Sequence, residues 1–269
     1  MAIEKYITPH SFDAFEMKDV LEFHDRTKLK PISSMSFFLR TGLYMDSIRG
    51  AQEASKNYKA TPLYHTELLD VDVPERLHKA IKQRRSCRNF DRSIPFNRLG
   101  LLRALISCTP TRKAKAHVDE NIHLNFRPYP SPGGLYPVEI HLLEPSDNGF
   151  DLKYFNPHTS TLHMIRRNIS VTEVENALCV GSDKSLVHTT RGAILLSVLW
   201  ERTVIKYGIA GYRFALIELG IVSQHLSLIL ADQDIETLNW GAFYDDKGTE
   251  LIGADPCLET LGSVIWYGN

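Results

Sequence analysis

The stretch from Tyr212 to Ala231 is the strongest constraint on how this chain folds. It is almost continuously apolar and nearly long enough to span a membrane. It also holds Arg213, Glu218, Gln224 and His225, each of which is costly at a bilayer centre. It therefore reads as a helix from about Gly211 to Ala231 buried in protein. A helix apolar on most sides needs neighbours on most sides. The chain has the means to supply them: 269 residues, 43% hydrophobic and 23% charged, which also excludes the disordered class.

A second apolar run, Ala193 to Trp200, has strand length and no polar alternation, as in a central strand covered on both faces. Around these two segments the elements alternate. Pro74 to Arg84 and Phe96 to Ser107 read as helices, the second opened by Ser93-Ile94-Pro95. Val138, Ile140 and Leu142 alternate with Glu139 and His141, a strand with one wet or lined face. Asp151 to Met164 reads as a hairpin about Asn156-Pro157-His158. Ser170 and Glu173 form a capping box that opens a helix ending near Gly181. Leu238 to Phe243 and Gly262 to Tyr267 are closing strands. The sum is an α+β architecture, a central mixed sheet flanked by helices. Residues 71–269 make the main domain. Residues 1–70 form a leader that packs on it or docks partners, with short helices over Val20–Phe23 and Met35–Tyr44.

Charge and cysteine content narrow the function. Lys plus Arg is 31 and Asp plus Glu is 32, a net charge of −1, so no global field for nucleic acid exists. Met1 to Phe15 is charged and lacks the apolar run of a signal peptide. Cys87, Cys108, Cys179 and Cys257 make no C-x-x-C pair and read as reduced thiols of a cytoplasmic protein. The histidines lack metal-ligand spacing, so no metal is expected. Neither a dinucleotide fingerprint, nor a P-loop, nor a nucleophile elbow is present.

Three segments carry possible chemistry. Arg84-Arg85-Ser86-Cys87-Arg88 sets three guanidiniums and a hydroxyl just after a helix. Such a group is able to clamp a phosphate, or it is simply a solvated basic helix end. Pro130-Ser131-Pro132-Gly133-Gly134-Leu135-Tyr136-Pro137 is a rigid loop whose glycines let backbone approach a ligand, or a strand-initiating turn with no ligand. Lys206 and Tyr207 precede the long helix at a loop-to-helix junction. They are a base and donor pair if burial lowers the lysine pKa, or an exposed lysine beside a packed tyrosine. Glu218, Gln224 and His225 each need a partner if buried. The polar loop Thr109 to Gly134 is long enough to be functional, and its Arg112, Lys113 and Lys115 are a docking surface or a solvated face.

In order along the chain, RRSCRNF, PSPGGLYPVEIHLL and KYGIAGYRFALIELGIVSQHLSLIL resemble the nitroreductase-type flavoproteins, most closely the SagB-type branch that includes McbC-like azoline dehydrogenases. LKYFNPHTSTLHMI and WGAFYDD are similar to further family segments, and EFHDRTK resembles the segment carried before the flavin domain. The resemblance implies a nitroreductase-like fold in a domain-interlocked homodimer with FMN at each end of the subunit interface. Arg84, Arg85, Ser86 and Arg88 then correspond to the ribityl and phosphate site. Pro130, Ser131, Gly133, Gly134 and Leu135 line the ring from the partner subunit, with Gly241 and Ala242 near its other face and Gln224 also at the cofactor. Lys206 and Tyr207 fall where the branch carries its catalytic pair. The implied reaction is oxidation of peptide thiazolines or oxazolines to thiazoles or oxazoles, with a cyclodehydratase or synthetase complex and a precursor peptide as partners. The alternatives are an NAD(P)H-dependent nitro- or quinone reductase, an oxidase of carrier-bound or cyclic-dipeptide substrates, and a non-catalytic scaffold subunit. The loop has Ser-Pro-Gly-Gly where Ser-Ala-Gly-Gly is more usual, and Asp232 to Leu238 is more polar than the family pattern.

Overall fold

The computed structural model describes residues 14–31, 75–115, 123–181 and 184–269, with positions 35 and 39 besides. In chain order the elements are α1 (Ala14–Thr27), α2 (Glu75–Gln83), α3 (Arg98–Ile106), β1 (Arg112–Lys115), β2 (His123–Phe126), a short turn of 3-10 helix (Pro132–Gly134), β3 (Val138–Ser146), β4 (Gly149–Asn156), β5 (Thr161–Ile169), α4 (Val171–Leu178), α5 (Ser185–Thr189), β6 (Gly192–Leu199), α6 (Glu201–Tyr207), α7 (Ala210–Asp232), β7 (Glu236–Trp240), α8 (Asp245–Leu251) and β8 (Glu259–Gly268).

Six strands form one sheet in the order β5-β4-β3-β6-β8-β7. Its ladders are antiparallel; the sheet is mixed only through one parallel bridge, Ser86 to Thr237. The apolar run of β6 lies at its centre, with Ile194 opposite Leu142 on β3 and Ile265 on β8. Its side chains alternate between two cores, as period-two geometry requires. Ile194, Leu196 and Val198 enter a core with Leu101 and Leu105 of α3 and Val222, Leu226 and Leu230 of α7. Ala193 and Leu195 enter the other, with Val174 and Leu178 of α4, Leu186 of α5 and Leu251 of α8. The architecture is a sheet covered on both faces. Burying a leucine there contributes about 2–3 kcal/mol, and a cavity in its place costs about 2–5.

Helix boundaries follow local chemistry. The Ser170 hydroxyl accepts from the Glu173 amide at 3.1 Å, the N-cap expected for α4. α3 begins later than expected, because Asn97 caps it by accepting from the Gly100 amide at 2.9 Å. α7 is long and apolar enough to cross a membrane, the one such helix among the described residues. It instead buries Ala215, Leu219, Val222, Leu226 and Leu230 in the core and leaves Leu216, Ile217 and Gly220 exposed.

Several expectations shift. The 109–134 segment contains the antiparallel ribbon β1–β2, and positions 116–122 lie outside the described residues. The polar face of β3 is not wet: Glu139 and His141 are both buried. The closing strand expected over Leu238–Phe243 is displaced to Glu236–Trp240, and Phe243 turns back into the core. In the leader, α1 is longer than the expected Val20–Phe23 helix and sends Met17 and Val20 into the core beside α7. His24 packs at a tilt against Trp200 with centroids 5.0 Å apart and lies 3.3 Å from the Tyr212 hydroxyl through Nδ1. Lys28 pairs with Asp246 at 2.7 Å. The Met35–Tyr44 helix lies outside the described residues apart from 35 and 39.

Candidate functional site

The Pro130–Tyr136 loop is held in place mostly by its own polar groups. The Ser131 carbonyl accepts from the Gly134 amide at 3.0 Å, and the Ser131 hydroxyl accepts from the Tyr136 amide at 2.9 Å. The Tyr136 phenol accepts from the Arg127 amide at 2.8 Å, and the Arg202 guanidinium caps the Tyr136 carbonyl at 2.5 Å. Arg202 is in turn ion-paired with Glu139, which also accepts from the Tyr154 hydroxyl at 2.8 Å. Arg127 packs its guanidinium on the Tyr136 ring, 4.6 Å from the centroid, and donates to the Tyr129 hydroxyl at 2.9 Å. Burial pushes the Tyr129 and Tyr154 hydroxyls well above the usual phenol range, so both stay protonated.

This scaffold presents Gly133 and Gly134, both in the left-handed region at φ 64° and 66°. A Cβ on Gly133 would stand 2.4 Å from the Tyr207 Oη and 2.7 Å from the Lys206 Nζ. The loop and the Lys-Tyr pair are therefore in contact, although Gly133 and Lys206 lie 73 positions apart in the sequence. Only glycine combines that backbone with that proximity. Lys206 and Tyr207 occupy the last turn of α6 rather than a loop. Gly211 lets α7 close on α6, since a Cβ there would meet the Thr203 backbone at 2.6 Å. The Tyr207 ring packs edge-on against Phe214 at 5.0 Å. Lys206 is exposed in the protomer, so the burial invoked to activate it is not supplied by this chain's own packing. A cleft of about 510 Å³ opens on the loop, lined by Arg112, Phe126, Tyr129, Ser131, Gly134 and Tyr136.

The second cluster lies elsewhere. Ser86 runs parallel to β7 at Thr237, and the Cys87 amide donates to the Thr237 carbonyl at 2.9 Å. Arg84 and Arg85 border a cleft of about 240 Å³ with Ala231, Asp234 and Glu236. Arg84, Arg85 and Arg88 make no ion pair among the described residues. Gly241, with open space where a Cβ would lie, and Ala242 follow β7 directly. Glu218 of α7 faces the loop at Ser131, whereas Ala231 borders the arginines. Thirteen residues of helix (231 − 218) separate those contacts, about 20 Å at 1.5 Å per residue. Within one protomer the two clusters thus lie well apart along α7.

The three polar residues of α7 have different fates. Gln224 is exposed on the outer face, one turn beyond Gly220. His225 is satisfied, with Nε2 2.9 Å from the Ser107 hydroxyl, and burial holds its pKa below the usual imidazole value. Glu218 is fully buried, with no hydrogen-bond partner on either oxygen, and burial pushes its pKa up to about 7. Sequence reasoning missed Arg127 and Tyr136 as scaffold residues. Tyr136 adopts φ 49°, which no local pattern announces. Glu218 was within reach, because it falls on the same helical stripe as Ala215 and Val222.

The model of the Nitroreductase family matches residues 81–268, which include both clusters. The chain is similar to the microcin B17-processing protein McbC of Escherichia coli, 26% identical over 135 residues. That match covers 48% of this chain and spans about half the length of that relative, 49%. It is also 25% identical over 194 residues to a nitroreductase-type protein of Methanocaldococcus jannaschii, covering 69% of this chain and 90% of that protein. In fold it matches a chain of the E. coli microcin synthetase McbBCD complex with truncated pro-MccB17 bound, with a TM-score of 0.69, 17% identity and 98% of each chain covered.

Proposed function

This chain belongs to the nitroreductase family, and we propose that within it the protein is an FMN-dependent dehydrogenase that oxidises peptide thiazolines or oxazolines to azoles. One observation carries this reading: Lys206 Nζ and Tyr207 Oη converge on the backbone of Gly133. A base and a hydroxyl donor meet a surface with no side chain, where a flat ring is able to lie.

The residues fit FMN. Three guanidiniums with no ion pair among the described residues suit a phosphate, whose oxygens match their forks. Arg84, Arg85, Ser86 and Arg88 would hold that end, and Pro130, Ser131, Gly133, Gly134 and Leu135 the ring, with Gly241 and Ala242 on its other side. Gln224 of α7 would reach it from the interface. When bound, FMN supplies the two-electron acceptor. Everything else falls to the chain. The loop holds the azoline flat, and Lys206 or Tyr207 takes the proton that leaves as the other hydrogen departs with its electron pair. A positioned base contributes about 10²–10⁴-fold.

The protein acts as a homodimer in this reading. The two half-sites lie about 20 Å apart along α7, and Leu216, Ile217 and Gly220 leave an apolar stripe on that helix exposed. A second copy laid on the stripe brings one protomer's arginines to the other's loop. The likeness to McbC and to a chain of a microcin synthetase complex supports a peptide precursor and a cyclodehydratase-containing assembly as partners.

The test is a spectrum of the purified protein followed by mass spectrometry with azoline peptides. Turnover removes about two daltons per ring, one proton and one hydride. The Lys206→Ala, Tyr207→Phe double variant is expected to retain FMN and lose turnover; full activity of that variant refutes the assignment. Flavin bleaching by NADPH alone, without azoline oxidation, would favour a reductase instead.

A further inference from the structure

The cleft of about 510 Å³ beside the loop is lined by two arginines and, among the described residues, by no acid. Arg127 is buried, and a buried cation with no carboxylate against it is unfavourable. Its partners among the described residues are neutral: it donates to the Tyr129 hydroxyl at 2.9 Å and packs on the Tyr136 ring, 4.6 Å from the centroid. Its Nε has no hydrogen-bond partner. Glu218, the buried acid that senses Arg127, makes no hydrogen bond to it. Arg112 of β1 is exposed and lays its guanidinium over the Phe126 ring, 4.7 Å from the centroid. Neither arginine forms an ion pair among the described residues.

The cleft reaches the proposed chemistry. Gly134 lines it, and a Cβ on Gly134 would stand 3.2 Å from the Cε1 of Phe126. Gly133, one residue back, is where Lys206 and Tyr207 converge. A ring lying on the two glycines therefore sets the next residue of its own chain at the mouth of the cleft. The walls there are aromatic, from Phe126, Tyr129 and Tyr136, and such walls strengthen the pull of two unpaired guanidiniums. The planar fork of an arginine matches a carboxylate. Carboxylates are the anions that a peptide carries, on Asp and Glu side chains and at its C-terminus.

We propose that this cleft is a specificity site that takes a carboxylate of the peptide, adjacent to the ring being oxidised, between Arg112 and Arg127. The proposal rests on the reading that an azoline peptide lies on the glycine pair, and it names what flanks the ring. The probes are short labelled peptides with one thiazole, the unreactive product ring, added to the FMN-loaded protein. One carries Glu beside the ring, one carries Gln there and a C-terminal amide, and one carries Gln and a free C-terminal acid. Fluorescence anisotropy reads their affinities. A carboxylate from at least one of the two sources is expected to bind about 10–100-fold tighter than the all-amide peptide, the effect of a charge-assisted hydrogen bond. Arg112→Glu, a change at an exposed side chain, is expected to reverse that preference and leave FMN affinity where it was. Equal affinities in the wild type, no binding of any peptide, or a preference that survives Arg112→Glu overturns the proposal. So does an Arg112→Glu protein that loses FMN affinity while its peptide preference stays. Mass spectrometry on the azoline forms keeps the two readings apart. Oxidation without a carboxylate preference removes the site and leaves the dehydrogenase; a preference tied to Arg112 without oxidation removes the dehydrogenase and leaves the site.

Discussion

The glycine loop and the arginine segment are built on opposite plans. The loop around Gly133 rests on a nested set of polar contacts: Ser131 on Tyr136, Tyr136 on Arg127 and Arg202, Arg202 on Glu139, Glu139 on Tyr154. Most of these groups are buried or half-buried, so each broken link leaves an unsatisfied atom at about 1–3 kcal/mol. The arginine segment is tied to β7 through backbone, the Cys87 amide on the Thr237 carbonyl, and its guanidiniums reach into solvent without ion pairs among the described residues. The comparison teaches which half is prepared in advance. The loop's geometry is fixed by the protein's own contacts, as chemistry at a fixed distance demands. The arginines supply charge, which acts over a distance and tolerates motion.

The sharpest way to break the comparison is to add one carbon to the prepared half. Gly133→Ala sets a Cβ against the Tyr207 Oη and the Lys206 Nζ, on a backbone at φ 64° that alanine resists. Turnover on an azoline peptide is expected to fall about 10²–10⁴-fold, matching loss of the positioned base. FMN absorbance of the purified variant should persist. Wild-type rates in Gly133→Ala would show that the Lys-Tyr pair works from somewhere else.

Acid also separates the halves. His24 and His141 both have pKa values lowered to about 4, in each case chiefly by burial. Each is neutral in the folded protein and protonates readily when unfolded, so the unfolded state binds more protons between pH 4 and 6.5. Stability therefore rises with pH across that window and is lost on the way down, by up to about 3 kcal/mol for each group. His24 braces Trp200, the residue that leads into α6, and so supports the Lys-Tyr side directly. Thermal melts from pH 7 to 4 should show a falling Tm. His141→Leu should blunt the fall, and an unchanged slope in that variant would remove His141 from the account.

The arginine half responds to charge instead. Arg85→Ala removes a guanidinium that donates to the neighbouring Arg84 carbonyl at 2.8 Å. If it holds phosphate, FMN affinity falls about 10–100-fold, the value of a charge-assisted hydrogen bond. The melting temperature of the FMN-free protein should stay where it was. An unchanged FMN affinity would leave the segment as a solvated helix end.

This contrast also explains what was legible in the sequence. β6 and α7 declare themselves, because an apolar run of strand length and one of twenty residues leave few options. The capping box at Ser170 is local chemistry and appears where it was read. The β1–β2 ribbon stayed hidden, since Arg-Lys-Ala-Lys, exposed but for a half-buried Ala114, carries no apolar alternation. Glu139 and His141 read as a wet or lined face, and only the fold decides for lined, by bringing Tyr154 and Arg202 over that face of β3. For the site, motif content named Gly133, Lys206 and Tyr207 separately, and the fold brings them together. Lys206 is exposed and Tyr207 packs on Phe214, as the second of the two readings of that pair had it.

The smallest effect sharpens the comparison from beneath the arginine half. Asn97 caps α3 and also donates from Nδ2 to the Gln233 carbonyl at 3.1 Å, which joins α3 to the end of α7 beside Asp234 of the arginine cleft. Asn97→Ala removes the cap at a cost of about 1 kcal/mol, which lowers Tm by about 2–4 °C in a chain of this size. FMN affinity should hardly move, since no guanidinium depends on Asn97. Arg85→Ala and Asn97→Ala then form a double dissociation, one changing affinity without stability and the other stability without affinity. If Asn97→Ala weakened FMN as much as Arg85→Ala does, the arginine half would be preorganised after all, and the division between a prepared loop and a tolerant charge cluster would fail.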